Sequence, residues 1–385
     1  MMIYLDNAAT TFPKPQNVVK SVVEAIKIYG GNPGRSGHSL SMRTSEQIFH
    51  VREAVGEFFG VSPERVVFTS NCSHALNMAI KGVMASGGHI ITSTLEHNSV
   101  MRPLFAMKRK GIIDYDCAMV YEGDLEATLK SFASLIRPNT KAIVCTHASN
   151  VTGLILPVKE LGELCRQAGL TFIVDGAQSA GVLPVNLQEM KIDIFCTAGH
   201  KGLYGTTGTG LMLLGSDLEM DTIMEGGTGS ASSLPQQPDF LPDRFESGTI
   251  NTVGILSVGA GLHYVSGIGI SRIYEHEFGL CRYFYEQAAS IPQIKTYHYY
   301  FEKGRFAPIV LFNVGNMPSF DVVAALNARG ICVRGGLHCA PSSHRTLNTE
   351  QGGAVRVSPS AFNTKRDMMN LLRELKQIAK YSDKT

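Results

Sequence analysis

Two phrases within residues 170–210 carry most of the chemistry of this chain. The run Leu170-Thr171-Phe172-Ile173-Val174 delivers Asp175 at its end, and 26 residues further on Lys201 stands in Thr197-Ala198-Gly199-His200-Lys201-Gly202. An apolar strand ending in one carboxylate, followed by a lysine beside glycine, is the pair that a pyridoxal phosphate (PLP) site requires. The aspartate pairs with a protonated pyridine nitrogen and keeps the ring an electron sink, while the lysine amine forms the Schiff base. An exposed loop lysine would also account for Lys201 taken alone. Its amine must be neutral to attack a carbonyl, and burial beside other cationic groups would lower its pKa enough.

The elements that must position this pair alternate along the chain. Short β-branched runs at 66–69, 89–92, 141–146, 170–174 and 192–196 are interleaved with helical patterns at 74–84, 99–109 and 157–168. That order predicts an α/β fold with a mostly parallel sheet covered by helices on both faces. Ligands then belong at the carboxyl ends of the strands, where Ser73, Asn150 and Asp175 fall. A Gly/Ser/Pro-rich stretch near 226–254 interrupts the alternation and reads as a long functional loop. A smaller domain begins at about 255, with helices near 254–266 and 270–290, strands near 308–313 and 331–334, and a last helix opened by Thr364 and Asp367.

Further polar groups gather after these strands. Ser70-Asn71-Cys72-Ser73-His74 is a small polar turn before a helix, suited to hold a phosphate through the Cys72 amide and the Ser73 hydroxyl, although a plain helix cap uses the same residue types. His97, in Glu96-His97-Asn98, could lie flat on an aromatic ring or be purely structural. Asn150 and Gln178 offer amide donors for a phenolate oxygen. The segment Gly205-Thr206-Thr207-Gly208-Thr209-Gly210 has the wrong glycine spacing for a dinucleotide fingerprint, and no Walker lysine is present.

Composition narrows the class. The 385 residues are 44% hydrophobic with a net charge of +2, which indicates an ordinary soluble protein of two or three domains. Lys and Arg are dispersed, so nucleic acid is not expected as a partner. No apolar run approaches the ~18 residues of a spanning helix, so no membrane association is expected and a cytoplasmic location is. Eight cysteines form no CxxC pair, which argues against a disulfide framework or a zinc ribbon. Cys145, Cys165 and Cys196 read as small core residues. Cys339 differs, because Arg334-Gly335-Gly336-Leu337-His338-Cys339-Ala340-Pro341 is a glycine- and proline-bounded loop that exposes a thiol. His338 and His344 beside it are too few ligands for zinc, and no metal is expected.

Taken together, these motifs resemble the cysteine desulfurases of the class V aminotransferase family, fold type I PLP enzymes. The resemblance runs from Tyr4-Leu5-Asp6-Asn7-Ala8-Ala9-Thr10-Thr11 to Arg356-Val357-Ser358-Pro359-Ser360-Ala361-Phe362-Asn363-Thr364. It implies a large PLP-binding domain over 15–255, and a small α+β domain from 1–14 and 256–385 that carries the cysteine loop. It implies Lys201 as the Schiff-base lysine, Asp175 at the ring nitrogen, Gln178 and Asn150 on the phenolate side, and His97 stacked on the ring as an acid/base. Cys72, Ser73 and His200 would hold the phosphate, joined by Thr249 from the neighbouring subunit of a homodimer with shared active sites. Arg356 would clamp the substrate carboxylate, assisted by Asn32.

The compact loop at Cys339 is similar to that of group II desulfurases. Cys339 thiolate would take sulfur from L-cysteine, leaving alanine and an enzyme persulfide for a small acceptor protein. A free thiol is only a few per cent ionised at pH 7, and His338 and His97 are candidates to take its proton. Ala198 stands where many relatives carry Ser, so one phosphate hydroxyl is lost or replaced by Thr197; His74, Gly202 and Thr206 also depart from the pattern. Selenocysteine lyase, another class V reaction such as transamination or kynurenine cleavage, and a non-catalytic sulfur-carrier scaffold are the alternatives.

Overall fold

A computed structural model of the chain describes residues 2–34 and 37–380. Arg35 and Ser36, in the glycine-rich segment around Asn32, lie outside the described residues. The centre is a seven-stranded sheet of β2 (Val66–Thr69), β3 (Gly88–Ser93), β4 (Ile113–Ala118), β5 (Thr140–Thr146), β6 (Thr171–Asp175), β7 (Ile194–Ala198) and β8 (Gly210–Leu214). Their spatial order is β2-β8-β7-β6-β5-β3-β4, and only β8 runs against the rest.

The two-residue period of the strands divides the core. Ile143, Cys145, Phe172, Val174 and Phe195 face one way and pack with α2 (Ser39–Phe59), α6 (Val158–Ala168) and α7 (Thr252–Ile268), with Ala25 of α1 (Gln16–Lys27) and Phe132 of α5 (Leu125–Ala133) in the same cluster. Ala142, Val144, Ile173, Ile194 and Cys196 face the other way, against α3 (Cys72–Val83) and α4 (Asn98–Arg109). Strands covered on both faces carry continuous apolar runs, which is why β5, β6 and β7 were legible.

A second core gathers α8 (Ile270–Ala288), α9 (Ser319–Asn327) and α11 (Lys365–Ala379) around the antiparallel strands β9 (Ile294–Thr296), β10 (Val310–Val314) and β12 (Val355–Val357). Leu5 belongs to this core, because β1 (Ile3–Tyr4) pairs in parallel with β11 (Ile331–Cys332). The short α10 (Pro341–Thr346) follows the Cys339 loop. Between α7 and α8 the chain turns by 81° at Gly269, whose φ of +94° suits glycine. Among the described residues no single helix is long and apolar enough to cross a membrane.

Two strands of the sheet lie outside the alternation read from sequence. β4 carries Asp114 and Asp116 because it is an edge strand, and Lys108 and Arg137 pair with those carboxylates. β8 is a buried Gly-Leu-Met-Leu-Leu run with no alternation, inserted antiparallel between β2 and β7. The helix expected from 74 begins at Cys72, since the Asn71 side chain accepts the His74 N–H at 2.8 Å. Thr364 and Asp367 form the capping box as expected.

The long loop after β8 contains no helix or strand up to α7, and a buried ion pair holds it to the sheet edge. Arg52 and Glu246, with side chains each 8% exposed, meet through two bonds of 2.9 and 2.8 Å. Glu246 also accepts the Phe68 N–H of edge strand β2 at 2.7 Å. Removing one partner strands the other charge in the interior, so Glu246→Ala is expected to lower unfolding stability by about 3–5 kcal/mol. Denaturant titration measures this, and a loss below about 1 kcal/mol would mean that solvent reaches Arg52.

Candidate active site

The carboxyl ends of β3, β5, β6 and β7 open into one cleft of about 790 Å³. Its walls include Cys72, Ser73, His97, Asn150, Asp175, Gln178, His200, Lys201, Cys339 and Arg356, ten residues expected from sequence. Asp175 ends β6, is 3% exposed, and accepts the Ala177 N–H at 2.9 Å and the Cys72 thiol at 3.4 Å. Gly176 follows without a side chain, because a Cβ there would overlap the Phe195 ring. Lys201 comes three residues after β7, and burial, opposed by the nearby Asp175 charge, holds its amine below the usual lysine range. Gly202 lets the chain pass the Ala180 carbonyl, which a Cβ would strike. The departure noted after Lys201 therefore has a packing cause.

Electrostatics follow from burial. His200 is pushed down to about 4 by burial and then by Lys201 and Lys14, so its ring is neutral. Its carbonyl accepts from the Thr11 N–H at 3.1 Å and from Lys14 Nζ at 3.0 Å, which ties the N-terminal segment to the cleft. His97 is also held below its ordinary value, mainly by burial. Glu96, the fully buried residue before it, is pushed up to about 8 by burial and accepts from Ser93 and from the Thr146 N–H.

Several side chains have partners that sequence did not announce. Asn150 Nδ2 donates to the His338 carbonyl at 2.7 Å, and Gln178 Nε2 donates to the Ala8 carbonyl at 3.0 Å. Arg356, 1% exposed, donates from Nη2 to Asp6 at 2.7 Å and from Nη1 to the Asn150 carbonyl at 2.9 Å. Thr197 does not replace the hydroxyl missing at Ala198, for it donates to the Gly176 carbonyl at 3.2 Å. His338 faces inward: its ring nitrogens lie 3.2 Å from His344 Nε2 and 3.3 Å from the Arg334 carbonyl. Burial drives it down to about 2, so it is a neutral strut of the loop and not the partner of the Cys339 thiol.

Cys339 itself is exposed, and it and His338 take positive φ values of +57° and +50°. The Cys339 carbonyl accepts the Asn98 N–H at 2.7 Å, which docks the loop onto the start of α4. Arg334, which opens the Cys339 motif but had no role assigned from sequence, reaches to 4.0 Å from the sulfur. Ser99, also missed, touches both Ser73 and His97. Its one signal was a serine two residues after a helix-capping histidine.

Thr249 and Asn32 do not line this cleft. Both are exposed, and Thr249 lines a second cleft with Pro33, Gly34, Arg52 and Glu246.

The residues fit PLP. His200 Nδ1 and Arg356 Nε are buried without a protein partner, so both can serve anionic oxygens, while the Asp175 carboxylate stands ready for a protonated ring nitrogen.

The sequence profile described as Aminotransferase class-V matches residues 3–371, and the chain belongs to that PLP-dependent family. Within it, a cysteine desulfurase of Yersinia pestis is 32% identical over 98% of this chain and 94% of its own length. A probable cysteine desulfurase of Methanothermobacter thermautotrophicus is also 32% identical, over the same shares. The apo structure of a cysteine desulfurase from Thermococcus onnurineus superposes with a TM-score of 0.89 at 29% identity, covering 98% of this chain and 95% of that one. A cysteine desulfurase from Escherichia coli, at 24% identity and TM-score 0.86 over 98% and 95%, shares the fold.

Buried titrating groups set the pH response of stability. His147, His200, His298 and His344 are lowered to about 4, so between there and the ordinary value near 6.5 the unfolded chain binds more protons and stability rises with pH. Glu96 and Glu277 are raised from 4.5 to about 8, so across that range the folded chain holds their protons and they lower stability as pH rises; the four histidines outweigh them at first, and above the histidine window the net stability falls. Thermal melts should peak between about pH 6 and 7. Glu96→Gln should remove part of the alkaline decline, and an unchanged decline would show that Glu96 ionises in place.

Proposed function

We propose that this chain is a PLP-dependent cysteine desulfurase that converts L-cysteine to L-alanine and keeps the sulfur on Cys339. The observation that carries this reading is that the exposed Cys339 thiol is docked over the same cleft as Asp175, Lys201 and Arg356. Bound there, PLP supplies an electron sink that labilises bonds around Cα of an amino acid.

The chain's own groups do the rest. Lys201, with its lowered proton affinity, would hold the cofactor aldehyde and would be placed to carry the Cα proton. Asp175 would pair with the ring nitrogen of the bound cofactor. His97, capping α4 beside the cleft, would stack on the ring and, with Lys201, would move protons. Arg356 keeps three N–H groups beyond its bonds to Asp6 and Asn150, and these hold the substrate carboxylate. Cys339 Sγ bonds to the substrate sulfur and the Cβ–S bond breaks. The electron pair stays with Cβ, which takes a proton, and alanine leaves. The Arg334 guanidinium reaches to 4.0 Å from the Cys339 sulfur, close enough to orient it over the cleft.

The same reading makes the enzyme a homodimer, with Thr249 of each subunit completing the other's phosphate site and Asn32 aiding substrate binding. It also makes the enzyme cytoplasmic and the donor of sulfur to a small protein. Eight free cysteines suit a reducing compartment.

The test is alanine release from L-cysteine and L-selenocysteine, with and without a thiol reductant. Wild type should release alanine from L-cysteine. Cys339→Ala should lose at least about 100-fold of that rate while keeping the absorbance of bound cofactor. Lys201→Ala should lose the rate and alter that absorbance. No alanine from either amino acid, or full activity in Cys339→Ala, would overturn the proposal.

A further inference from the structure

The cleft presents three side-chain hydroxyls, of Ser73, Ser99 and Thr146. Thr146 is spent on the Ala148 carbonyl at 2.9 Å. Ser73 and Ser99 remain, and their oxygens meet at 2.5 Å. Each is the second residue of a 12-residue helix, α3 and α4, so two helix N-termini converge on one point and both favour negative charge there.

Ser99 also addresses His97. Its backbone N–H donates to His97 Nδ1 at 3.1 Å, and its Oγ lies 2.8 Å from the same nitrogen. A backbone N–H can only donate, so Nδ1 is the bare nitrogen and the ring proton sits on Nε2. The Ser99 hydroxyl therefore donates to Nδ1 and accepts from Ser73.

We propose that Ser99 is a positioning residue whose single hydroxyl proton serves two acceptors in turn, His97 Nδ1 and, beside Ser73, the phosphate of the cofactor. This rests on the PLP reading above. It gives the phosphate a hydroxyl donor where Ala198 offers none. It also links the two ends of the cofactor site. When the hydroxyl turns to the phosphate, Nδ1 keeps only the Ser99 N–H, and His97 becomes a better base at the moment the site is filled.

The experiment titrates full-length wild type, Ser99→Ala and Ser99→Thr, freed of cofactor, with PLP and with pyridoxal, which lacks the phosphate, using equilibrium dialysis. Loss of one charge-assisted bond predicts about 10- to 100-fold weaker PLP binding in Ser99→Ala, unchanged pyridoxal binding, and recovery in Ser99→Thr. Nitrogen NMR of the His97 ring should place the proton on Nε2 in wild type. Added inorganic phosphate should raise the His97 pKa more in wild type than in Ser99→Ala. Equal weakening toward both compounds, no weakening, or a proton on Nδ1 would overturn the proposal. Wild type that binds neither compound overturns the cofactor reading itself, and this proposal with it.

Discussion

The structure depends on placing one hydrogen-bonded carboxylate at the end of a buried strand. Asp175 sits at the carboxyl end of β6, walled by apolar strands on either side, where an unpaired charge would cost several kcal/mol. The Ala177 N–H and the Cys72 thiol offset part of that cost, and the Lys201 amine stands across the cleft. The alignment of Asp175 with Cys196 across β6 and β7 fixes how far beyond the sheet the chain runs before Lys201. Glycines at 176 and 202 permit the close approaches that this geometry demands.

A second constraint joins the two cores. The cysteine loop belongs to the C-terminal part of the chain, yet its backbone is fastened to the large sheet by two carbonyls. His338 O takes the Asn150 amide, and Cys339 O takes the Asn98 N–H. Asn150 in turn receives Arg356 on its own carbonyl. Asn98, Asn150, Arg356 and the Cys339 loop are thus tied by one short set of hydrogen bonds. The neutral His338–His344 pair stiffens the loop from below. The thiol is left outside, near Arg334.

Much of this was legible in the chain. β5, β6 and β7 announced themselves as continuous apolar runs, and Asp175, Lys201, Asn150 and Cys339 fell at strand ends or in a glycine-bounded loop, where side chains must face a ligand. What stayed hidden depends on tertiary neighbours. β4 is written with two aspartates that make sense only beside Lys108 and Arg137, and β8 lacks alternation because both of its faces are covered. The inward turn of His338 and the commitment of Thr197 to a backbone carbonyl are set by packing. The roles of Ser99 and Arg334 were invisible for the same reason: each comes from a residue on another element or in the same strained loop.

The central claim is that Cys339, alone among eight free cysteines, receives the sulfur. Cys339 and Cys117 are exposed, but Cys117 lies on edge strand β4, away from the cleft. Peptide mass mapping after brief exposure of the PLP-loaded enzyme to L-cysteine, without reductant, distinguishes them directly. The account requires one added sulfur atom on the peptide that carries Cys339 and none on that of Cys117. Sulfur on Cys117, or on no cysteine while alanine accumulates, would contradict it.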